Sequence, residues 1–455
     1  MGFVLYDVET TGLNPAFDQI VQFAAIRTDN QLRPLDRFEI KIRLMDHILP
    51  SPDALCVTGT GIDELLSPAR PSFFEAMCLV YRTLHSWSPA TFIGYNSIRF
   101  DEAFLRHAFY QTLHPAYLTS RHNNGRGDVL RLARAVAALR PEKLLPGINE
   151  SGAASLRLGD LCAANGYALT NSHDAMADVE SLLWLCDLLA NGAPDIWSQF
   201  ARFTNKAAAR DFLTSEDAFV LVDPRGADPG MRFLAYLGDS KKDANLPFCV
   251  DLTYNLTPLR QLDHDALLQH LASRGTPIRR VRVNAGPLMI PIFEVEGLQG
   301  APSEAACLEQ ATLLRSDPDF LEKLLTAARA TEVAYPSSPY VESQLYERFV
   351  DEEGRMEAFH QASWEARPAL IREFQDARLF QLGRRILFAE RPDLFEEDAR
   401  QKLAAAVKER LSVPKDVEVP WMTIATARAA LANRPTDERY QASILDPYMA
   451  YLDRL

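Results

Sequence analysis

The sequence predicts an α/β fold at its N-terminus, followed by a small β-rich part and an all-α part, and three observations lead there. Segments 3–9 (FVLYDVE), 20–28 (IVQFAAIRT) and 35–42 (LDRFEIKI) are rich in β-branched and aromatic residues and are separated by turn signals such as GLNPAFD. Between 218 and 300 the apolar pieces are short and divided by Asp, Pro and Gly. The last third shows helical periodicity with little strand signal.

The elements follow in order. After the third strand, the Pro-rich LPSPDALCVTGTGIDELL leads into an apolar pattern of helical period from Phe73 to Leu84, and TFIGYN returns to strand character. Helices are predicted at 101–112, 128–139, 156–165 and 174–190. The texture changes in NGAPDIWSQFARFTNK, which places a boundary near 195. Beyond it, AFVLVD, MRFLAYLG, PFCVDLTY and IRRVRVN read as strands, with helices near 263–274, 304–315 and 317–331. A linker, EVAYPSSPYVESQ, opens the helical region that contains YERFVDEEGRMEAFHQA, ARLFQLGRRILFA and VPWMTIATARAALAN. The expected domains are 1–194, 195–340 and 341–455.

At 455 residues, with 47% hydrophobic and 24% charged content, the chain exceeds what one core holds, so two or three domains are expected. No apolar run is long enough to cross a bilayer and no leader-like pattern opens the chain, which points to the cytoplasm. Six scattered cysteines, with no C-x-x-C pair, read as reduced, buried thiols. A formal net charge of −13 argues against coating nucleic acid by bulk electrostatics, but leaves room for a local basic groove beside acidic ligands.

Four acids and a histidine carry the chemistry. Asp7 and Glu9 lie on the first strand, Asp101 follows Phe100, and Asp178 stands five residues beyond His173, little more than one helical turn away. A lone D-x-E is ordinarily strand decoration, so the weight rests on the combination. Hard divalent cations such as Mg²⁺ take oxygen ligands. Four acids in one cleft suit two such ions, the arrangement that activates a water and steadies an in-line phosphodiester displacement. His173 could serve as the base, since imidazole titrates near neutral pH, or could cap the following helix. Asp101 has a second reading as a first-turn acid complementing a helix dipole, worth ~0.3–1 kcal/mol.

The segments DVETTG, GYNSIRFD and HDAMADVES resemble the three exonuclease motifs of the DEDDh superfamily, whose fold is ribonuclease H-like. Longer blocks narrow the match. QFAAIRTDNQL, GYNSIRFDEAFLRHAFYQTL, SLRLGDLCAANG and SHDAMADV, then ESQLYERF and DARLFQLGRRILFAERP, are similar to the exonuclease I family, bacterial enzymes that degrade single-stranded DNA from its 3′ end. The resemblance implies a DEDDh exonuclease domain, an SH3-like β-rich domain and a C-terminal helical domain that close into a clamp on the strand. It implies two Mg²⁺ ions per site, with Mn²⁺ able to substitute, and release of nucleoside 5′-monophosphates in DNA repair and recombination. Asp7, Glu9 and Asp178 would be direct ligands, Asp101 a water-mediated one and His173 the base. Glu9, Thr10 and Arg157 would touch substrate.

Each further candidate has a structural alternative. Thr10, Thr11 and Gly12 form a turn that could meet the terminal sugar or only satisfy its own backbone. Arg157 suits a phosphate, or else sits on a solvated helix face. The loop RHNNGRGD offers Arg121, His122, Asn124 and Arg126 to a strand's path, with Asp128 as a helix cap. Arg279, Arg280 and Arg282 make a basic cluster, either DNA-facing or solvated, with Arg280 and Arg282 on one face. Trp184 reads as core packing. The resemblance also implies a contact with the acidic C-terminal tail of single-stranded-DNA-binding protein, for which Arg140 alone matches. A monomer is expected. The rival readings are a DEDDh exoribonuclease or proofreading exonuclease, and, from another class, a non-catalytic single-strand-binding scaffold.

Overall fold

The computed structural model describes residues 2–167, 174–222, 230–273, 275–295, 300–333, 336–433 and 439–455. Its first sheet contains β1 (Phe3–Thr10), β2 (Ile20–Thr28), β3 (Pro34–Lys41), β4 (Thr91–Gly94) and β5 (Gly125–Asp128), ordered β3-β2-β1-β4-β5. β1, β2 and β3 form an antiparallel meander, while β4 runs parallel to β1 and β5 parallel to β4. Parallel pairing demands a crossover, and helices supply it.

Between β3 and β4 lie α1 (Pro52–Thr58), α2 (Ile62–Leu65) and α3 (Phe73–Ser86), between β4 and β5 lies α4 (Asp101–Gln111), and α5 (Val129–Leu139), α6 (Leu158–Ala164) and α7 (Ala175–Gly192) follow β5. β1 is covered on both faces, so strand alternation sorts its side chains into two cores. Phe3 and Leu5 join Ala24, Ile26 and Ile93 beneath α5 and α7. Val4, Tyr6 and Val8 join Phe23, Ala25 and Phe92 beneath α3 and α4. Side-chain caps fix where helices begin: Ser72 and Glu75 form a capping box on α3, and Asp128 accepts from Leu130 N at 3.1 Å on α5. This is the ribonuclease H-like α/β arrangement that the motifs implied.

One reading needs correction. GRGD is a strand, not part of a loop: all four residues of β5 are buried. Glycine hides the strand signal and is required there, because a Cβ on Gly127 would meet the Phe200 ring at 2.7 Å.

A short hairpin, β6 (Gly147–Ile148) with β7 (Ala154–Ser155), precedes α6. After α7 come two helices that the sequence reading did not place, α8 (Pro194–Phe203) and α9 (Lys206–Ser215). A second sheet is antiparallel throughout, β11-β10-β9-β8-β12, from β8 (Phe219–Val222), β9 (Met231–Gly238), β10 (Phe248–Asp251), β11 (Ile278–Arg280) and β12 (Leu288–Pro291). Ile196 and Phe200 of α8 join the core of the first sheet, which continues into Val220, Val222, Leu288 and Ile290 of the second. The apolar interior therefore runs across position 195. Helices α10 (Thr257–Gln261), α11 (His264–Ala272), α12 (Glu304–Arg315) and α13 (Pro318–Ala330) pack against Leu237, Phe248 and Val250.

The C-terminal part is helical: α14 (Glu353–Gln361), α15 (Arg367–Leu370), α16 (Ala377–Glu390), α17 (Glu397–Leu411), α18 (Ile424–Ala432) and α19 (Arg439–Leu452). It packs on the first domain in two places. Phe359, Leu379 and Leu382 meet Phe74, Tyr110 and Leu113, whereas Leu411, Ala427 and Tyr448 meet Leu44, Leu49 and Leu55. Among the described residues, no helix is long and apolar enough to cross a membrane.

Candidate active site

Asp7 and Glu9 occupy odd positions of β1, as Phe3 and Leu5 do, so alternation turns them to the face covered by α7. On α7 the buried stripe contains Ala175, Val179, Leu182, Leu185, Cys186 and Leu189. Asp178, three residues after Ala175 and four before Leu182, falls on that stripe near the helix start. The two periods thus bring distant acids together. Carboxylate oxygens of Asp7, Glu9 and Asp178 all lie within 4.8 Å of one another.

Asp101 stands beside this triplet as the first residue of α4, only 3% exposed. Its Oδ1 accepts from Val8 N at 3.1 Å, which pins α4 to the strand between Asp7 and Glu9. Charge accumulates here. Burial, followed by the charges of Asp101, Glu9, Asp178 and Asp174, pushes the Asp7 carboxyl well above its ordinary value. Burial and then Asp178, Asp101 and Asp174 push Glu9 up to about 8, and burial chiefly pushes Asp101 to about 7. Buried like charges of this kind ionise together only with a counter-charge. An all-carboxylate donor set supplies oxygen ligands, so these residues fit hard divalent cations.

Two supports escaped the sequence reading. Gln22 pairs with Glu9 across β1 and β2, and its Nε2 donates to Glu39 Oε1 at 2.9 Å and Asp174 Oδ2 at 3.1 Å. Asp174 in turn accepts from Ala177 N at 3.3 Å, capping the helix that carries Asp178. Only strand register reveals the first contact, and the cap of α7 is Asp174, where the sequence had offered His173. The second support is Glu102, which receives Tyr6 Oη at 3.0 Å, Thr119 Oγ1 at 2.6 Å, and Arg106 and Arg126, each at 2.7 Å. Burial alone would raise the Glu102 carboxyl, but the two guanidiniums hold it at about 2.

The remaining predicted residues divide clearly. Thr10 Oγ1 donates to Gly12 O at 2.7 Å, and Thr11 Oγ1 donates to Asp18 Oδ1 at 3.2 Å while accepting from Gln19 N at 2.9 Å, so both hydroxyls serve the turn. Arg157 is exposed at the start of α6. His173 lies outside the described residues. Of the RHNNGRGD residues, Arg126 is buried, Asn124 Nδ2 donates to Ser88 Oγ and Leu118 O, Arg121 pairs with Glu353, and His122 is exposed with its ring 5.9 Å from that of His85. Arg279, Arg280 and Arg282 are paired with Asp251, Glu332 and Asp243, and Arg280 and Arg282 do share an exposed face. Trp184 stacks on Tyr167 at 5.0 Å and packs against the first core. All six cysteines are free thiols, with Cys56 and Cys78 half-buried.

A family model described as Exonuclease matches residues 4–185. Exodeoxyribonuclease I of Escherichia coli (strain K12) is 30% identical over 404 residues, covering 84% of this chain and 83% of that protein. The likeness therefore extends well beyond the exonuclease module. Among solved structures, E. coli exonuclease I in complex with a dA16 oligonucleotide superposes with a TM-score of 0.87 at 25% identity, over 100% of this chain and 99% of the other. A complex of SSB and exonuclease I with the inhibitor CFAM superposes at a TM-score of 0.84 with 26% identity, over 100% and 99%.

Proposed function

The chain belongs to the exodeoxyribonuclease I family, and from that premise we propose that Asp7, Glu9 and Asp178 hold two Mg²⁺ ions for hydrolysis of a phosphodiester at a DNA 3′ end. The enzyme degrades single-stranded DNA in the 3′ to 5′ direction and depends on a divalent metal. The observation that carries the site reading is the convergence of the three carboxylates within 4.8 Å. When bound, such ions supply the positive charge that makes a water nucleophilic and steadies the attacking and leaving oxygens.

The chain's own residues do the rest. Asp101, tied to Val8 N, fixes the edge of the anionic cradle and acts on it through water. His173 takes the proton from the attacking water. Glu9, Thr10 and Arg157 meet the terminal nucleotide, with the exposed guanidinium of Arg157 directed to a phosphate. Mononucleotide 5′-phosphates leave, and Mn²⁺ substitutes for Mg²⁺. We place the enzyme in the cytoplasm as a monomer. The acidic tail of single-stranded-DNA-binding protein is its proposed partner, with Arg140, now paired with Asp195 at 2.7 Å, as the contact. Titration with a tail peptide tests this, and absence of saturable binding removes the partner.

Nucleotide release from 3′-blocked and 5′-blocked DNA and RNA, with Mg²⁺ and then with EDTA, tests the main reading. Release from 5′-blocked DNA alone, abolished by EDTA, is expected; release that survives EDTA overturns it. Asp178→Ala should lower the rate on the order of 10³-fold with the fold intact, and His173→Ala should lower kcat more than DNA affinity. Wild-type rates in Asp178→Ala would refute the site.

A further inference from the structure

A second cluster of ligating groups lies on the opposite side of the first sheet, where α3 and the end of α4 meet α14. Cys78 on α3, His114 just after α4 and His360 on α14 place one ligand atom each within 4.8 Å of one another. The residue types are sulfur and imidazole nitrogen, a set that selects Zn²⁺-class ions over the hard cations that carboxylates hold. The Cys78 Sγ to His360 Nδ1 separation is 3.6 Å. A tetrahedral ion with bonds of about 2.3 Å to sulfur and about 2.0–2.1 Å to nitrogen has a sulfur–nitrogen edge of about 3.6 Å.

The hydrogen bonds around the rings fix which nitrogens carry a proton and which keep a lone pair. His360 Nε2 lies 3.0 Å from Leu113 O, which can only accept, so Nε2 carries the proton and Nδ1 is left bare toward Cys78. Thr112 Oγ1 donates to Ala108 O at 2.7 Å and therefore accepts from His114 Nδ1 at 3.2 Å, which frees Nε2. A carbonyl or hydroxyl on the far ring nitrogen is what orients a metal-binding histidine. Phe74 stacks on His360 at 5.5 Å and Tyr81 lies 4.5 Å from His114, with the Arg367 guanidinium over the Phe74 ring at 5.3 Å, and Cys78 is half-buried.

We propose that Cys78, His114 and His360 form a Zn²⁺-class metal site that clasps the C-terminal helices to the exonuclease domain. It has three protein ligands and a fourth position for water. Loading converts the Cys78 thiol to thiolate and releases its proton to solvent. The two imidazoles, 3.8 Å apart between centroids and tilted by 33°, swing open to aim both lone pairs at one ion.

The test uses the full chain, stripped by chelator and returned to excess Mg²⁺, then titrated with Co²⁺ as a spectroscopic substitute for Zn²⁺. A thiolate-to-cobalt charge-transfer band should saturate at one ion per chain, a signal that carboxylates cannot give. It should persist in Asp178→Ala and vanish in Cys78→Ser and His360→Gln. Those two variants should keep the wild-type nuclease rate in Mg²⁺, which shows that they fold. Zn²⁺ should raise the thermal unfolding midpoint of the wild type and leave that of Cys78→Ser unmoved. Absence of a thiolate band in the wild type, or an equal band in Cys78→Ser, overturns the site.

Discussion

Where the two sheets meet, Arg126 Nε donates to Asn284 O at 2.7 Å and Arg131 Nη1 donates to Ala285 O at 2.6 Å and Gly286 O at 2.9 Å. Where the first domain meets the C-terminal helices, histidines join the polar contacts, beside the Arg121–Glu353 pair and Tyr110 Oη, which donates to Val341 O at 3.0 Å. His107 Nδ1 lies 3.0 Å from Glu342 O, His360 Nε2 donates to Leu113 O at 3.0 Å, and His47 sits beside the group in which Arg385 and Arg410 hold Glu342 at 2.6 and 2.9 Å. Guanidinium keeps its charge at any pH a protein survives, and the first seam is backed by a continuous apolar core. Imidazole ordinarily changes charge near pH 6.5, and burial lowers that change to about 4 at His107 and about 3 at His47. The guanidiniums between the sheets thus keep their charge at any pH, whereas the buried histidines of the helical seam take up protons only in acid.

The strongest way to break this contrast is through Glu102, which neutralises Arg126. Glu102→Ala leaves a guanidinium buried without its partner and should cost about 3–5 kcal/mol in denaturant unfolding. Wild-type stability in that variant would show that the charge pair is not what holds the seam.

Acid should separate the two seams next. His107 is held at about 4, chiefly by burial, against 6.5 for the free group, and His47 at about 3, by burial and then Arg410 and Arg385. Between those values the unfolded chain binds the extra proton, so stability is complete above about pH 6.5 and falls as pH drops toward 4. For His107 the loss is on the order of 3 kcal/mol by the lower limit. Hydrogen exchange should quicken in residues 341–361 before it does in 284–290. Simultaneous loss in both segments would remove the distinction.

A smaller effect is expected at Gly286, which has φ +54° and where a Cβ would meet Arg126 O at 2.4 Å and Gly127 Cα at 2.9 Å. Gly286→Ala should cost about 1–3 kcal/mol, and exchange in the second sheet should rise more than at the carboxylates.

How much of this was legible follows from the range of the forces involved. Asp7, Glu9 and Asp178 could be picked out because DVETTG, GYNSIRFD and HDAMADVES together resemble the exonuclease motifs, and local strand and helix periods then account for how they meet. The all-α tail was readable because helical period is a local property. β5 was not, since its two glycines answer to Thr204 and Phe200, residues distant in sequence, and its arginine answers to Glu102. Gln22 was invisible as a support because its meaning depends on the register that sets it opposite Glu9. Cys78 read as an ordinary buried thiol, since its two histidine neighbours come from different segments.

Phe200 has one more consequence. Its ring lies against the bare backbone of Gly127, yet it belongs to the helix that begins the connection to the second sheet. Excising the nuclease module at residue 194 would strip away this lid and leave an edge strand with unsatisfied amides bordering an open hydrophobic wound. Evolutionary shuffling of the module as a detachable cassette would first have to supply a substitute for that ring.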